Sequence, residues 1–169
     1  MTDFPDLYER HRDDVWRYFR RRMPDAAEDL VTEVFVVAWR RRADVPDDPL
    51  PWLYGVARRV LSNHRRGAAR HAALLRRAGE HTPASGGDPA ELVGARADLA
   101  RALSALSETQ REVVLLVAWE GLSIAEAAAA LGCRRGTAAV RLHRARRRLR
   151  GELAEEGPAR LPVTALEER

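Results

Sequence analysis

The chain has 169 residues, of which 46% are apolar and 32% are charged. This composition is that of a globular protein with enough apolar residues for one domain or two small ones, and it excludes a fibrous chain. A single cysteine excludes an internal disulfide framework, and the lack of an 18-residue apolar run or a signal-peptide pattern predicts a cytoplasmic protein without membrane insertion.

Charge is unevenly distributed along the chain, although the formal net charge is only +4. All 29 basic residues are arginines, and residues 58–77 and 134–150 form basic blocks without an acidic residue. Residues 25–33 and the tail from Glu152 onward are acidic instead. Such segregation indicates at least two different partners.

Helical periodicity without sustained period-2 alternation predicts an all-α protein. The first helix is expected over residues 5–23, ending before Pro24. One side of it is apolar and contains Tyr8, Val15 and Phe19. A second helix is expected from a variant capping box at Asp25 and Glu28 to about Arg42. Its apolar arc consists of Leu30, Val31, Val34, Val37 and Ala38, and its opposite side of Asp25, Asp29, Thr32, Glu33 and Val36.

A third helix is expected over residues 51–66, after a turn-forming stretch at residues 43–51. The residues that it should bury are Leu53, Val56, Ala57, Val60 and Leu61. Those on its outer face are Arg58, Arg59, Ser62, Arg65 and Arg66. The helical pattern weakens from Gly67, and residues 79–89 collect the glycine, proline, serine and threonine typical of a flexible linker.

The C-terminal part of the chain predicts a unit of four helices. Helical periodicity resumes over residues 98–106, and Ser107 with Gln110 forms a capping box before the apolar run at residues 113–119. Two helices therefore precede a helix-turn-helix. Beyond Gly157 the tail lacks a core and is expected to be disordered.

The helix-turn-helix is predicted over residues 123–150. Ser123 and Glu126 form a second capping box, and Gly132 can end the short helix because glycine tolerates positive φ. The buried face of this helix consists of Ile124, Ala128 and Leu131. The chain then turns at Cys133, where a small buried thiol is expected rather than a redox switch.

An arginine-rich helix is expected to follow from Arg135. Its inward stripe consists of Ala138, Leu142, Ala145 and Leu149, and its outer face of Thr137, Val140, His143, Arg144 and Arg147. Residues 134–150 contain eight arginines and no acid. This pattern suits the major groove of DNA, where phosphates attract arginine and base edges are accessible. A solvated, arginine-rich helix face is the alternative interpretation.

Four segments together indicate a protein family. They are AEDLVTEVFVVAWR, PWLYGVARRVLSNHRR, LSETQREVVLLVAWEGLSIAEAAAALGC and GTAAVRLHRARRRLR, at residues 27–40, 51–66, 106–133 and 136–150. In this order they closely resemble the bacterial RNA polymerase sigma factors of the extracytoplasmic-function group, which retain region 2 and region 4 joined by a linker. The resemblance implies two small helical domains, with a region 2-like bundle of three or four helices at 1–72, a linker at 73–97, a region 4-like helix-turn-helix domain at 98–153 and a disordered tail at 154–169.

The resemblance implies that the chain binds core RNA polymerase and directs promoter-specific initiation without chemistry of its own. No cofactor, metal or small-molecule substrate is then expected, and an anti-sigma factor is a further partner found in the group. The family's second helix docks on the clamp helices of the largest polymerase subunit, and the matching residues here are Asp29, Thr32, Glu33 and Val36. Thr32 stands where glutamine is common. A solvated helix face is the alternative explanation.

The third helix and the loop before it correspond to the part of region 2 that recognises and opens the downstream, minus-ten element. Basic side chains can hold the backbone of a displaced strand, and aromatic side chains can stack on its bases. The residues implied are Trp52, Arg58, Arg59, Ser62, Arg65 and Arg66. Tyr54 is a further candidate for stacking, whereas core packing is the favoured role of Trp52. Arg59 replaces an asparagine frequent in the family, so a different specificity is expected.

The arginine-rich helix corresponds to the part of region 4 that enters the major groove at the upstream, minus-thirty-five element. By position, Arg134, Arg135 and Thr137 lie near phosphates at the helix start. The other implied contacts are Ala139, Val140, Arg141, His143, Arg144 and Arg147. Ala139 and Val140 replace the polar or basic pair usual in the family. Contact with a thymine methyl is therefore favoured there, and an atypical upstream element is expected.

Two other functions are left open. A conventional helix-turn-helix regulator would not join the polymerase, and its N-terminal unit would serve dimerisation or sensing. A nucleic-acid enzyme would use Asp25, Asp29 and Glu33 as metal ligands, but no second acidic cluster or histidine pair at ligand spacing accompanies them. Association with core polymerase would distinguish a sigma factor from the regulator. Magnesium-dependent cleavage would distinguish the enzyme from a sigma factor.

Overall fold

The computed structural model describes residues 3–77 and 95–154, which fall into two compact helical units. The first unit contains α1 (Phe4–Arg20), α2 (Ala27–Arg40) and α3 (Leu50–Arg77), with 3₁₀ turns at Pro24–Ala26 and Arg42–Asp44. The second contains α4 (Ala95–Ala105), α5 (Glu108–Ala118), α6 (Ile124–Leu131) and α7 (Arg135–Ala154). Neither described range contains a strand, so the all-α prediction is confirmed.

The linker expected at residues 79–89 and the tail expected beyond residue 157 lie outside the described residues. Within the described ranges, no helix is long and apolar enough to cross a membrane.

The three helices of the first unit pack around one apolar core. Its most deeply buried side chains are Val15, Tyr18, Phe19, Leu30, Val31, Val34 and Leu53. Tyr8, expected on the buried side of α1, is 38% exposed, and Leu7 is buried instead. Phe35 was absent from the predicted apolar arc of α2 but is buried, because the rings of Phe4 and Tyr8 pack edge-on against it at 6.5 and 4.8 Å between centroids.

The ends of α1 and α2 differ from the prediction, and both helices finish earlier than expected. The Arg22 side chain folds back over the last turn of α1. Its guanidinium lies 3.6 Å from the ring centroid of Tyr18 and donates a hydrogen bond to the Tyr18 carbonyl oxygen at 3.0 Å. The capping box predicted at Asp25 and Glu28 is absent. The Glu28 carboxylate accepts a hydrogen bond from Arg12 at 3.0 Å, and α2 begins after a 3₁₀ turn.

Helix α3 is longer than predicted, since it continues to Arg77, past the helix end expected at Arg66 and the domain boundary expected at residue 72. All five predicted core residues are buried, namely Leu53, Val56, Ala57, Val60 and Leu61. Gly67 lies inside the helix and lacks the positive φ of a helix-ending glycine. The alanines, arginines and leucines that follow it favour helix, so the helix continues. Leu61 is the last buried residue of α3, so the rest of the helix extends beyond the core.

Both capping boxes predicted for the second unit are present. The Ser107 hydroxyl accepts from the Gln110 backbone N–H at 3.3 Å, and the Ser123 hydroxyl accepts from that of Glu126 at 3.2 Å. Each partner's side chain in turn accepts from the serine backbone N–H, at 3.2 and 2.7 Å. Gly132 ends α6 with a left-handed φ of 63°, as predicted.

The helix-turn-helix packs with its predicted inward stripe buried, namely Ala138, Leu142, Ala145 and Leu149. These residues face α5 and α6, which contact α7. The inner side of α6 depends on alanines more than predicted, since Ala127, Ala128 and Ala130 are buried while Ile124 and Leu131 are half-buried. Cys133, expected to be buried, is half-buried and free.

Arg111 closes the turn between α4 and α5, a role that the sequence pattern did not predict. Its Nε donates to the Leu103 carbonyl oxygen at 2.8 Å, and its Nη2 donates to those of Ser104 and Leu106 at 3.2 Å each. Carbonyls at the end of a helix lack partners in the helix itself, and the helix dipole favours a cation there. The guanidinium therefore satisfies three acceptors and joins two helices.

Candidate functional site

The polar side of α2 is an exposed surface of the first unit, here called the α2 face: Asp29, Thr32, Glu33 and Val36. The Thr32 hydroxyl donates to the Glu28 carbonyl oxygen at 3.1 Å, so it is turned back onto its own helix. Asp29 and Glu33 take part in none of the ion pairs between described residues. The face thus presents two carboxylates that have no ion-pair partner in the described part of the chain, beside Val36, which is 42% exposed.

Trp39 extends this surface and was missed by the sequence reasoning. It is 50% exposed, and its ring lies 4.9 Å from that of Phe4 and 5.0 Å from the guanidinium of Arg42. With these residues it lines an open groove of about 930 Å³ between the start of α1 and the end of α2. Trp39 follows Val36 by one helical turn on the same side of α2, and this spacing could have identified it from the sequence.

The outer side of α3, here called the α3 face, contains Arg58, Arg59, Ser62, Arg65 and Arg66, as predicted. Arg59, Arg65 and Arg66 are exposed, whereas Arg58 and Ser62 are half-buried. The Arg58 Nε is buried without a hydrogen-bond partner among the described residues. Arg66 donates to the Asn63 side-chain oxygen at 2.6 Å. Because no carboxylate neutralises these guanidinium groups within the described ranges, the face is strongly cationic.

The structure buries one of the two aromatic candidates on α3 and leaves the other half-buried. Tyr54 is only 2% exposed and packs on Tyr18 with 5.6 Å between ring centroids, so it belongs to the core and cannot stack on a base. Trp52, for which core packing was favoured, is half-buried at the start of the helix, with the Arg41 guanidinium 5.9 Å from its ring. At 100° per residue, residue 54 lies about 20° beyond Leu61 and residue 52 about 40° beyond Val56, so both fall at the edges of the core arc. The ring of Tyr18 on α1 covers residue 54.

The outer side of α7, here called the α7 face, is exposed at the positions predicted. Thr137, Val140, His143, Arg144 and Arg147 are exposed, as are Arg134 and Arg135 at the start of the helix. Ala139 and Arg141 are half-buried at the edge of the face. Val140, an apolar side chain among the arginines of this face, is 49% exposed.

Hydrogen bonding perturbs two charged groups in the described structure. The pKa of Glu126 is lowered, first by the Ser123 hydroxyl and then by the Ser123 backbone N–H, because both bonds favour the carboxylate. The pKa of Arg12 is raised, first by its hydrogen bond with Tyr8 and then by the negative charge of Glu28. Neither group belongs to the three faces. In the described ranges, no cluster of three or more His, Cys, Asp and Glu residues could hold a metal ion.

Both helical units match models of known protein families. The family model described as Sigma-70 region 2 matches residues 7–71, and the one described as Sigma-70, region 4 matches residues 96–149. ECF RNA polymerase sigma factor SigL of Mycobacterium tuberculosis is 35% identical over 161 residues, covering 91% of this chain and 90% of that protein. The chain belongs to the extracytoplasmic-function (ECF) group of the sigma-70 family.

Two solved structures resemble this sigma factor in fold. Sigma factor RpoE, crystallised with the anti-sigma factor NepR from Bartonella quintana, is 27% identical with a TM-score of 0.67, covering 91% of this chain and 98% of that one. CnrH in complex with the cytosolic domain of CnrY is also 27% identical, with a TM-score of 0.62 and coverage of 91% and 89%.

Membership of this family decides among the three functions considered from the sequence. The protein is a transcription initiation factor that directs promoter-specific transcription with RNA polymerase.

Proposed function

We propose that this sigma factor binds core RNA polymerase through the α2 face, holds the melted downstream element on the α3 face, and recognises the upstream element with the α7 face. The observation that supports this division most strongly is the segregation of charge. An acidic, partly apolar face and a cationic face lie on neighbouring helices of the first unit, and a second cationic face lies on the recognition helix.

Contact of the α2 face with the polymerase is supported by its unpaired carboxylates and by Val36. Opposite charges on a partner would steer the encounter and set the register, while burial of apolar side chains such as Val36 and Trp39 supplies affinity. Thr32 is expected to add little, because its hydroxyl already donates to the Glu28 carbonyl.

Binding of the melted strand by the α3 face is supported by its three exposed arginines and by the position of Trp52. Single-stranded DNA is held by a positive groove that follows the backbone and by aromatic rings that stack on bases. Trp52 is the one aromatic candidate of α3 outside the core, since Tyr54 is buried. We therefore assign base stacking to Trp52 and contacts with phosphates to Arg58, Arg59, Arg65 and Arg66, with Ser62 between them.

Recognition of the upstream element is assigned to the α7 face. Arg134, Arg135 and Thr137 lie at the helix start, where phosphate contacts fix the register. Ala139, Val140, Arg141, His143, Arg144 and Arg147 then face the base edges or the flanking phosphates. The two DNA-binding faces gain affinity together when the polymerase holds both in register.

A cytoplasmic location and an anti-sigma partner belong to the same proposal. The core polymerase and chromosome are cytoplasmic in bacteria, and the polymerase supplies the catalysis, so this chain needs no cofactor, metal or small-molecule substrate. RpoE was solved with the anti-sigma factor NepR, and CnrH with the cytosolic domain of CnrY. An anti-sigma factor of this chain should abolish transcription in a reconstituted system. Proteins encoded by genomic fragments can be screened for that effect.

The decisive experiment is in vitro transcription with core RNA polymerase on a library of genomic fragments, followed by mapping of start sites. We expect transcription that depends on this chain, from start sites preceded by two shared sequence elements. Failure to associate with core polymerase in the absence of any inhibitor would contradict the proposal. Specific DNA binding without that association would support the conventional regulator instead.

A further inference from the structure

The residues that follow α7 form an acidic segment to which the proposed function assigns no role. Helix α7 ends at Ala154, and residues 155–169, here called the acidic tail, lie outside the described residues. The sequence of the acidic tail contains two pairs of carboxylates: Glu155 with Glu156, and Glu167 with Glu168. Its large apolar residues lie between these pairs in the sequence: Leu161, Val163 and Leu166. The acidic tail therefore reads acidic, then apolar, then acidic.

The α7 face shows the same order with the opposite charge. Arg134 and Arg135 are exposed at its start, and Arg144 and Arg147 are exposed in its second half. Val140 lies between these two groups of arginines and is 49% exposed. The face is thus basic on both sides of an apolar side chain, so it is complementary to the acidic tail in charge and in the place of its apolar residues.

An ion pair at the end of α7 shows a carboxylate beside these arginines. The Glu152 carboxylate lies 3.9 Å from the Nε of Arg148, and Glu152 is the last charged residue before the acidic tail. Among the described residues, no other carboxylate pairs with an exposed arginine of α7. The positive charge of the face is therefore available to an anionic segment that follows Glu152.

The acidic tail is long enough to cover the face. At a rise of 1.5 Å per residue, the distance along α7 from Ala154 back to Arg134 is about 30 Å. An extended chain spans about 3.3 Å per residue, so Glu167 can lie up to about 43 Å from Ala154. The second acidic pair can then reach the start of α7 while the first pair stays near its end. Because the two segments are directly joined, each is present at a high effective concentration near the other.

We propose that the acidic tail folds back along the α7 face and competes with DNA for its arginines. The competition rests on the proposed function, because it requires that the α7 face binds DNA, whereas the contact itself does not. Carboxylates of the acidic tail take the places of DNA phosphates, so the tail lowers the affinity of the face for duplexes of every sequence. The free chain then binds DNA weakly until the polymerase supplies a second contact.

The contact is tested on the full chain with a nitroxide label at residue 165, in the variant C133S/A165C. Cys133 is the only cysteine of the chain, so this variant has one labelling position. Paramagnetic broadening of amide signals should be strong around Val140 and Arg144, and it should decrease in about 1 M salt, where the Debye length is about 3 Å. Absence of broadening on α7, or equal broadening at Arg70 of α3, would overturn the proposal.

The competition is tested by neutralising the carboxylates of the acidic tail in the variant E155Q/E156Q/E167Q/E168Q. This variant should bind a mixed-sequence duplex of about 30 base pairs about tenfold more tightly than the unsubstituted chain at low salt, because four weak surface ion pairs no longer compete. The gain should shrink as salt is added. Fluorescence anisotropy measures the dissociation constants, and an unchanged affinity at low salt would overturn the competition.

Two controls separate the acidic tail from net charge. The variant D6N/E9Q/D13N/D25N removes four carboxylates from exposed positions of the first unit, and its affinity for the duplex should stay close to that of the unsubstituted chain. The variant R160Q/R169Q makes the acidic tail more negative and should weaken duplex binding. An equal gain from both sets of neutralised carboxylates, or a gain from R160Q/R169Q, would contradict the proposal. Circular dichroism of each variant checks that the helix content is preserved.

Arg144→Ala in the variant with the neutralised tail keeps this result separate from the proposed function. It should weaken duplex binding, because the proposed function assigns Arg144 to DNA. If it does not, the assignment of the α7 face to DNA is wrong and the competition with it, while the nitroxide label still decides whether the acidic tail contacts α7. If Arg144→Ala weakens binding but neutralising the tail has no effect, the competition is wrong and the proposed function stands.

Discussion

At the residue scale, Val140 is the side chain through which the α7 face differs most from a purely cationic surface. It is 49% exposed, and the exposed residues His143 and Arg144 follow it on the same face. Valine offers no hydrogen bond to a base. The C5-methyl of thymine is the apolar group displayed in the major groove, so a valine at this point favours thymine.

Val140→Ala should therefore weaken recognition at a single base pair of the upstream element, once start-site mapping has identified that element. Replacing the contacted thymine by uracil removes only the methyl group and should cost the unsubstituted protein about 1 kcal/mol of binding free energy in the polymerase complex. In the Val140→Ala protein the same replacement should cost almost nothing. An equal cost in both proteins, measured by competition binding, would contradict the methyl contact.

At the scale of the secondary-structure element, capping determines where the helix-turn-helix begins. Ser123→Ala should lower the free energy of unfolding by about 1 kcal/mol, because the Glu126 backbone N–H loses the hydroxyl that it bonds to at 3.2 Å. Urea unfolding of the full chain, followed by circular dichroism, measures this loss. Ser123→Asn keeps an acceptor at the cap and should recover most of the stability, whereas equal destabilisation by both variants would point to a packing defect.

The same cap makes the stability of the second unit depend on pH in the acidic range. The pKa of Glu126 is lowered in the folded state, so its bonds to Ser123 contribute stability above the ordinary value of 4.5 and lose it as the pH falls through the lowered folded value. Glu126→Gln keeps the acceptor but does not titrate. Unfolding free energies measured at a series of acidic pH values should fall less steeply for this variant, and parallel curves would show that the cap carries no charge dependence.

Arg111 also acts at the scale of the secondary-structure element, because its side chain caps the end of α4 and positions α5. Arg111→Ala should reduce the free energy of unfolding by about 1.5 to 3 kcal/mol, since three carbonyls lose a charged donor. Arg148→Ala is the control: it removes an exposed arginine whose ion pair with Glu152 spans 3.9 Å, and its effect should be below about 1 kcal/mol. Similar losses in the two variants would exclude a special role for Arg111.

At the scale of the whole molecule, each unit carries its own binding faces, and mutations should separate their functions. Glu33→Arg reverses an exposed charge on the α2 face and should weaken binding to core polymerase about tenfold or more. Glu9→Arg makes the same change on the exposed side of α1 and should leave that binding intact. Binding of both variants to duplex DNA should be equal, so a defect shared by both, or confined to DNA, would contradict the assignment.

Much of this organisation could be predicted because its signals are local. The capping boxes at Ser107 and Ser123 and the glycine end of α6 depend on residues within one or two turns, and all three are confirmed. The buried stripe of α7 follows from helical periodicity alone, and so does the exposure of the faces on α2 and α7. In these cases the spacing of residue types determines which side of a helix can face water.

Other features depend on contacts between helices, which no local pattern encodes. Glu28 fits a capping box by spacing but pairs with Arg12 of another helix, and Phe35 is buried by rings from α1. Tyr54, a candidate for stacking, is buried against Tyr18 and Trp52 is only half-buried, because the neighbouring helices determine which side of α3 is covered. The continuation of α3 to Arg77 extends the helix beyond the core, although the local pattern weakens from Gly67. Periodicity therefore predicts the faces, whereas packing determines how far each extends and which aromatic side chains remain accessible.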